Sequence, residues 1–262
     1  IAPAAVVDAL DSSTALVTLG LANAEVGTIQ ELAPLAEPVA SVGAIFHVDA
    51  AQAVGRIAVK VEALGCDLMT TSGHKLGAPA GIGALYARPG VELGAVTMGG
   101  PQESGMRAGT PNLLGAIGFG AAAEALAAGW EQEAARVNAL AELLLARLRE
   151  AVPGLRLNGP HSGRLANTLN LAFPGVLGES MLIALDLEGV EVSMGSACAA
   201  GSVEPSHVLI AMGLGVAQAR SSIRVSLGWS NTAAQAERAA EIIARVWRRV
   251  SEAEPVVTEA LT

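Results

Sequence analysis

Short apolar runs alternate with helical stretches through the first half of the chain, and this alternation limits the possible folds more than any other feature. Apolar runs at residues 15–21, 44–48, 67–71 and 83–87 predict four strands, and a helix is predicted at residues 28–42. Strands that alternate with helices are typical of layered α/β folds with a parallel sheet. We therefore predict a mostly parallel sheet, with ligands bound at the carboxyl ends of its strands.

The second half of the chain has a different pattern and predicts a second domain. A long helical region is expected to begin at Thr110 and Pro111, with Thr110 as the N-cap, and to bend or break near Gly129. We place the domain boundary there. The prediction is a large α/β domain over residues 1–128 and a smaller C-terminal α+β domain over residues 129–262.

Strands are predicted in the second domain at residues 168–173, 190–194 and 222–227. The last helix is predicted to open with a capping box, in which Thr232 and Gln235 satisfy each other's backbone N–H groups. Apolar residues recur along this helix at helical spacing, which indicates one buried face.

Composition and charge exclude several classes of protein. The net charge of −9 argues against nucleic-acid binding, and the group Arg245, Arg248 and Arg249 is interpreted as a solvated helix face, offset by Glu241 and Glu252. No apolar run approaches the roughly 20 residues that cross a bilayer, and no signal peptide is recognised. Two cysteines predict neither a disulfide framework nor a metal site. We therefore expect a cytoplasmic protein that binds no nucleic acid, membrane or metal.

Two polar segments directly follow predicted strands. Residues 71–75 read Thr-Ser-Gly-His-Lys before a tight turn, so Lys75 is either a solvated surface lysine or an amine placed to form a Schiff base with a carbonyl cofactor. Asp49 directly follows the second predicted strand. It could cap the following segment, or face a pyridine nitrogen and keep that nitrogen protonated. Because the strand ends are successive, both side chains could face one crevice.

Two further residues have side chains suited to chemistry in the second half. Cys198 lies in a run of very small residues at 193–202, where a cysteine is accessible as a thiolate nucleophile, whereas Cys66 is interpreted as an inert core residue. Arg224 is flanked by strand-forming apolar residues and needs a carboxylate partner. That partner is either an internal Asp or Glu or the α-carboxylate of an amino-acid substrate.

Six segments, in this order along nearly the whole chain, resemble the class V aminotransferases of the fold-type-I pyridoxal-phosphate (PLP) enzymes, and among them the cysteine desulfurases. The resemblance implies a fold-type-I PLP-dependent transferase with PLP as its cofactor. The matching segments are residues 22–27 (ANAEVG), 47–52 (HVDAAQ), 72–75 (SGHK), 105–110 (GMRAGT), 195–198 (GSAC) and 222–228 (SIRVSLG).

The resemblance implies a role for each residue of the cofactor site. Lys75 would bind PLP covalently and move protons at the substrate α-carbon. Asp49 would pair with the pyridine nitrogen, and Gln52 would hydrogen-bond the phenolic oxygen. Ser72 and His74 would bind the phosphate.

The resemblance also implies a substrate and partners. Arg224 would hold the carboxylate of L-cysteine, and Cys198 would attack the substrate sulfur, leaving a persulfide and releasing L-alanine. The loop around Cys198 would then deliver sulfur to an acceptor protein such as an iron–sulfur scaffold. Thr110 would reach the phosphate of the neighbouring subunit's cofactor in a homodimer.

The sequence departs from the family pattern in three places. Ala24 replaces an asparagine that contacts the cofactor, and Ser104 replaces an arginine in a glycine-rich turn. The chain also begins about midway through the family's large domain, so we expect that domain to be incomplete. These departures favour a catalytically incomplete fragment, half-enzyme or dimerising scaffold, whereas the Cys198 segment favours the desulfurase over a related PLP lyase or aminotransferase.

Overall fold

A computed structural model describes residues 1–195 and 204–253, and these fall into two compact units. The first unit contains Ile1–Ala22 and Gln30–Trp130, and the second contains Asn23–Ile29 and the described residues from Glu131 onward. The short segment Asn23–Ile29 therefore groups with the second unit, although the sequence prediction placed all of residues 1–128 in one domain.

The first unit contains a four-stranded sheet in the order β1-β2-β3-β4. β1, β2 and β3 are parallel, and β4 runs antiparallel to β3. All four predicted strands are confirmed to within one residue at each end, as is the mostly parallel sheet. The strands are β1 Leu16–Gly20, β2 Ile45–Asp49, β3 Leu68–Ser72 and β4 Gly83–Ala87.

The parallel strands have one apolar and one polar face, because successive side chains of a strand point to opposite sides. Phe46 and Val48 of β2 are almost completely buried on one side. On the other side, His47 links the three strands: its Nδ1 lies 2.6 Å from Thr18 Oγ1 on β1, and its Nε2 lies 3.2 Å from Thr70 Oγ1 on β3. Asp49, two residues beyond His47, belongs to this polar face.

The helices of the first unit are short apart from α4. They are α1 Pro3–Val7, α2 Ala36–Ser41, α3 Val61–Leu64 and α4 Leu113–Ala127, with 3₁₀ turns at Ala33–Leu35, Gly73–Leu76 and Gln102–Gly105.

Two helix predictions for this unit need correction. The helix predicted at residues 28–42 begins only at Ala33, where Pro34 occupies a position whose N–H needs no intrahelical partner. The N-cap of α4 is Asn112 rather than Thr110, since Asn112 Oδ1 accepts the N–H of Gly115 at 3.0 Å. Asparagine is among the best N-cap residues, so the helix starts after it.

The described part of the second unit combines a small sheet with helices, as expected of an α+β arrangement. The sheet has the order β5-β6-β7, with both pairs antiparallel. Its elements are α5 Trp130–Ala151, β5 Arg156–Leu157, β6 Thr168–Ala172, α6 Gly178–Asp186, α7 His207–Ala211, α8 Val216–Arg220, β7 Ser222–Ser226 and α9 Ala233–Ala253.

The strand predicted at residues 190–194 is wrong. The N–H of Val190 bonds to the carbonyl of Leu185 at 2.9 Å, so this residue completes the turn that ends α6. Only Ser193 pairs with a strand, through an isolated bridge to Arg224 of β7.

The core of the second unit lies between its sheet and its two long helices. Fully buried side chains come from each layer: Leu144 and Leu148 of α5, Leu171 of β6, Ile223 of β7 and Ile243 of α9. The helical residues recur at a spacing of three to four, so each helix presents one apolar face to the sheet.

The basic group on α9 is solvent-exposed and paired. Glu188 accepts from Arg245 Nη2 at 2.9 Å and from Arg249 Nη1 at 3.0 Å, and both arginine side chains are about half exposed. The predicted solvated face is confirmed for these two arginines, although their partner is Glu188 rather than Glu241 or Glu252.

Of the helices in residues 1–195 and 204–253, none alone has the length and hydropathy of a membrane span. The helices α4 and α5 reach that length and hydropathy only when taken together, and they are bent by 78° relative to each other.

The predicted capping box begins α9. Gln235 N–H donates to Thr232 Oγ1 at 3.2 Å, and Thr232 N–H donates to Gln235 Oε1 at 2.9 Å. Both residues therefore satisfy N–H groups that the first turn of a helix leaves without partners.

Replacing this cap should destabilise the second unit. Thr232→Ala removes the acceptor for Gln235 N–H, so we expect the free energy of unfolding in urea to fall by about 1 kcal/mol. Ser251→Ala removes a hydroxyl from the other end of α9 and should change the free energy of unfolding by less than about 0.5 kcal/mol. Equal losses in the two variants would contradict the capping role.

Candidate active site

Five of the predicted site residues follow β2 and β3 at one edge of the first sheet. Asp49 ends β2, and Gln52 lies three residues beyond it. Ser72 ends β3, and His74 and Lys75 lie in the 3₁₀ turn that follows directly. Because β2 and β3 are parallel, with Asp49 opposite Thr70, their carboxyl ends meet at the same edge. The structure therefore brings the two predicted segments together.

Asp49 uses one carboxylate oxygen locally. Its Oδ1 accepts the N–H of Ala51 at 2.9 Å, which is the capping interaction considered from the sequence. Oδ2 makes no hydrogen bond, and no cation pairs with the carboxylate, within residues 1–195 and 204–253. The side chain is exposed, so the second oxygen is available to a protonated ring nitrogen.

The turn that contains Lys75 is tightly packed. Gly73 N–H donates to the carbonyl of Ile82 at 2.9 Å, and Ala78 N–H donates to the carbonyl of Gly73 at 3.0 Å. A Cβ on Gly73 would lie 2.6 Å from Ile82 Cγ2, so only glycine fits there. Lys75 itself is half-buried and forms no ion pair within the described ranges. This packing fixes the backbone from which the lysine amine projects.

Ser72 and His74 form a polar pair beside this turn. Ser72 Oγ lies 2.9 Å from His74 Nδ1. A hydroxyl and an imidazole supply donors suited to a phosphate oxygen, Lys75 supplies an amine for an aldehyde, and Asp49 supplies a carboxylate for a ring nitrogen. The chemistry of this donor set fits PLP. Gln52 is half-buried, and within the described residues only its backbone carbonyl makes a hydrogen bond, to Arg56.

Thr110 lies away from regular structure, two residues before the N-cap of α4. It is exposed, and its side chain forms no hydrogen bond to the described part of the chain. In the preceding 3₁₀ turn, Ser104 has a φ of 56°, a left-handed conformation that is uncommon for residues other than glycine.

Arg224 lies in the second unit, at the centre of β7. Its backbone bonds to Ser193 in both directions, and its Nη1 donates to the carbonyl of Ala24 at 3.2 Å. Its Nε is buried without a partner, and it forms no ion pair within residues 1–195 and 204–253. Burial lowers the pKa of Arg224, while the charge of Glu25 acts in the opposite direction. The sequence left two partners open for Arg224, an internal Asp or Glu and the carboxylate of a substrate. The described residues provide no internal ion pair.

Glu25 is a buried carboxylate that the sequence prediction did not single out. It is 4% exposed, and Ser206 Oγ donates to its Oε2. Asn23 Oδ1 accepts the N–H groups of Glu25 and Val26 at 2.8 and 3.0 Å, a local turn typical of asparagine. The side-chain oxygen of Asn23 is thus engaged with its own backbone.

A buried amide network holds the same segment against the small sheet. Asn170 Nδ2 on β6 donates to the carbonyl of Glu25 at 3.3 Å. Asn158 Nδ2 donates to Asn170 Oδ1 at 2.7 Å and to Ser222 Oγ at 2.8 Å. All four of these residues are buried, and buried polar groups are retained when they are paired. Neither the spacing of the polar residues nor the composition of the sequence indicates such a network.

Arg56 is a second residue that the sequence prediction missed. Its Nη1 donates to the carbonyl of Gln52 at 2.8 Å, and its Nη2 donates to the carbonyl of Lys75 at 3.2 Å. Burial lowers the pKa of Arg56. One guanidinium thus connects the segments that follow β2 and β3.

Only one of the two cysteines lies in the described part of the chain. Cys198 lies outside the described residues. Cys66 is buried, as predicted, and this burial raises the pKa of its thiol. A buried thiol with a raised pKa is a poor nucleophile, so Cys66 is a core residue rather than a reactive one.

A substitution at Gly73 tests the packing of the lysine turn. Gly73→Ala places a methyl group against Ile82, so we expect the free energy of unfolding of the first unit to fall by about 1–3 kcal/mol. Gly94→Ala is the matched control, since nothing lies within 4 Å of its added Cβ. Chemical denaturation measures the free energy of unfolding of both variants. A Gly73→Ala variant as stable as Gly94→Ala would contradict this packing.

Comparisons with known proteins identify the family of this chain. The family model of the class-V aminotransferases matches residues 1–239. "Cysteine desulfurase IscS" of Dictyoglomus turgidum is 40% identical over 251 residues, which are 96% of this chain. A solved structure titled a NifS-like protein superposes with a TM-score of 0.86 at 31% identity over 95% of this chain. Another, titled "SspA in complex with cysteine", gives a TM-score of 0.71 at 30% identity over 87% of this chain.

The chain covers only part of each of these proteins. It spans 64% of the Dictyoglomus protein, 65% of the NifS-like protein and 63% of the cysteine complex. The family match nevertheless extends over most of the chain, and the fold is that of the fold-type-I transferases. The chain therefore belongs to the class-V aminotransferase family of PLP-dependent enzymes.

Proposed function

We propose that this chain contains the cofactor lysine, the substrate-binding arginine and the nucleophilic cysteine of a PLP-dependent cysteine desulfurase. One observation carries the proposal: Asp49, Ser72, His74 and Lys75 follow neighbouring parallel strands at one sheet edge. The relatives named for cysteine desulfurase activity, and the solved structure titled with cysteine, support the same reaction.

The residues of the first unit would hold the cofactor. When bound, PLP withdraws electrons from the α-carbon of an amino acid. The Asp49 carboxylate would keep the ring nitrogen protonated, and Gln52 would hydrogen-bond the phenolic oxygen. Ser72 and His74 would bind the phosphate. The amine of Lys75 would bind the cofactor and then take up and return a proton at the substrate α-carbon.

Arg224 would bind the carboxylate of the substrate. Its guanidinium has one backbone carbonyl partner and one buried nitrogen without a partner, so it retains donors for an anion. An arginine guanidinium forms paired hydrogen bonds with a carboxylate, which fixes the orientation of an amino acid as well as its affinity.

Cys198 would accept the sulfur. Its thiolate attacks the sulfur of L-cysteine, a sulfur–sulfur bond forms and the carbon–sulfur bond of the substrate breaks. A proton then replaces sulfur on the carbon, so L-cysteine and the enzyme thiol become L-alanine and an enzyme persulfide. The persulfide would pass to an acceptor protein such as an iron–sulfur scaffold. The reaction requires a free thiol, which a reducing compartment such as the cytoplasm maintains.

The reaction can be tested on the chain itself. After incubation with PLP and L-cysteine, we expect L-alanine in solution and the mass of one additional sulfur atom on the Cys198 peptide. Cys198→Ser should retain PLP and lose at least about a hundredfold in alanine formation, because the sulfur acceptor is gone. Cys66→Ser is the matched control and should be unchanged, since Cys66 is buried.

The outcomes separate the competing functions. PLP bound without sulfur on Cys198 would contradict the desulfurase and favour a related PLP lyase or aminotransferase. A chain that binds no PLP and forms no alanine would instead support the catalytically incomplete fragment, to which Ala24 and Ser104 also point.

We also propose that the protein forms a homodimer through the segment around Thr110. Val96 and Met98 are 95% and 87% exposed, and Leu114 at the start of α4 is 82% exposed. Exposed apolar side chains of this size, recurring within one stretch of the chain, favour a surface that binds another protein. A second copy is the favoured partner, because Thr110 lies in this segment and the family resemblance assigns it to the neighbouring subunit's cofactor.

The dimer is tested by sedimentation. We expect the chain to sediment as a dimer, and Leu114→Asp to raise the dimer dissociation constant by about tenfold or more, because it buries a charge in the interface. Leu187→Asp is the matched control: Leu187 is equally exposed at 82% but belongs to the second unit. A monomeric parent chain, or equal effects of the two variants, would contradict this interface.

A further inference from the structure

We infer that Arg56 is a positioning residue for Lys75, since its guanidinium ties the lysine turn to the turn that follows β2. The inference deepens the proposed function and rests on it for the role of Lys75 as the cofactor lysine. It assigns Arg56 no contact with cofactor or substrate.

Two hydrogen bonds carry the inference. Arg56 Nη1 donates to the carbonyl of Gln52 at 2.8 Å, and Arg56 Nη2 donates to the carbonyl of Lys75 at 3.2 Å. The two carbonyls belong to segments that follow different strands, β2 and β3, and both segments contain predicted cofactor residues. The guanidinium therefore sets the separation of the Gln52 and Lys75 backbones.

The chemistry of arginine suits this task. Its two terminal nitrogens lie in one rigid plane, so a single side chain can donate to two carbonyls at a fixed spacing. A lysine ammonium in the same place offers a point charge on a flexible stem and does not impose that spacing. No carboxylate forms an ion pair with Arg56 within residues 1–195 and 204–253, so the carbonyl oxygens are its acceptors in that part of the chain.

The backbone of Arg56 is itself held in place. Arg56 N–H donates to the carbonyl of Ala53 at 3.0 Å. Gly55 has a φ of 76°, and a Cβ there would lie 2.8 Å from Leu126 of α4 and 3.3 Å from Leu76 of the lysine turn. The arginine thus starts from a fixed turn packed against the neighbour of Lys75, so its two bonds cost side-chain entropy but little backbone entropy.

Loss of the guanidinium should loosen the lysine turn selectively. The carbonyl of Lys75 would lose its donor, and the half-buried lysine side chain would gain freedom and access to solvent. A catalytic amine that is less well oriented reacts less well with a bound partner, although it reacts more readily with a small reagent from solution.

The lysine content of the chain allows a direct measurement. The chain contains two lysines, Lys60 and Lys75, and Lys60 is exposed. Reductive methylation with formaldehyde, followed by peptide mass analysis, gives the Lys75 to Lys60 labelling ratio without any cofactor. We expect this ratio to rise about threefold in Arg56→Met and less in Arg56→Lys, which retains one charged donor.

Arg88→Met is the matched control. Arg88 pairs with the buried Asp67 in the same unit, so its loss should lower stability without touching the lysine turn. Thermal unfolding of all variants shows how much stability each loses. An unchanged ratio in Arg56→Met, or an equal rise in Arg88→Met, would overturn the inference. Should Arg56→Met fail to fold, Arg56→Lys gives the decisive comparison with Arg88→Met.

PLP titration separates this inference from the proposed function. We expect PLP affinity to fall about tenfold in Arg56→Met, which corresponds to ~1.4 kcal/mol. If the parent chain binds no PLP, the proposed cofactor site fails, while the labelling ratio still decides the role of Arg56. If the parent binds PLP and Arg56→Met binds it equally well, the positioning role is overturned and the cofactor site stands.

Discussion

The parallel pairing of β1, β2 and β3 is the constraint on which the candidate site depends. Because of this pairing, β2 and β3 end at the same edge of the sheet. Asp49, Ser72 and the turn of Lys75 lie at that edge. A shift of one residue in the β2–β3 register would move Asp49 to the other face of the sheet. The hydrogen bonds of His47 to Thr18 and Thr70 oppose such a shift, because they join β2 to both of its neighbouring strands.

Charged side chains that are removed from solvent bond to backbone carbonyls and hydroxyls as well as to side chains of opposite charge. Arg56 and Arg224 donate to main-chain carbonyls, and the buried Glu25 accepts from a serine hydroxyl. Charges held in this way add little to stability, because removing them from water costs about as much as their bonds return. These bonds are the basis of the two roles proposed above, in which Arg56 positions the lysine turn and Arg224 binds a carboxylate.

Much of the fold and of the first-unit site could be predicted from the sequence. The strands were predictable because their apolar runs are short and bounded by turn residues, and Asp49 and Lys75 stand out as polar residues directly after them. Arg56 and Glu25 were not predictable as site residues, because their partners are backbone carbonyls or hydroxyls that only the folded chain brings near. The start of α4 was misplaced for a local reason: Thr110 and Asn112 are both good N-caps, and the sequence does not rank them.

The central claim is that the turn after β3 presents Lys75 as the amine that binds PLP covalently. The most direct measurement incubates the chain with PLP, reduces it with borohydride and locates the added mass by peptide mapping. Because the chain has only two lysines, we expect the reduced adduct on Lys75 and not on Lys60. An adduct distributed over both lysines, or none on Lys75, would contradict it.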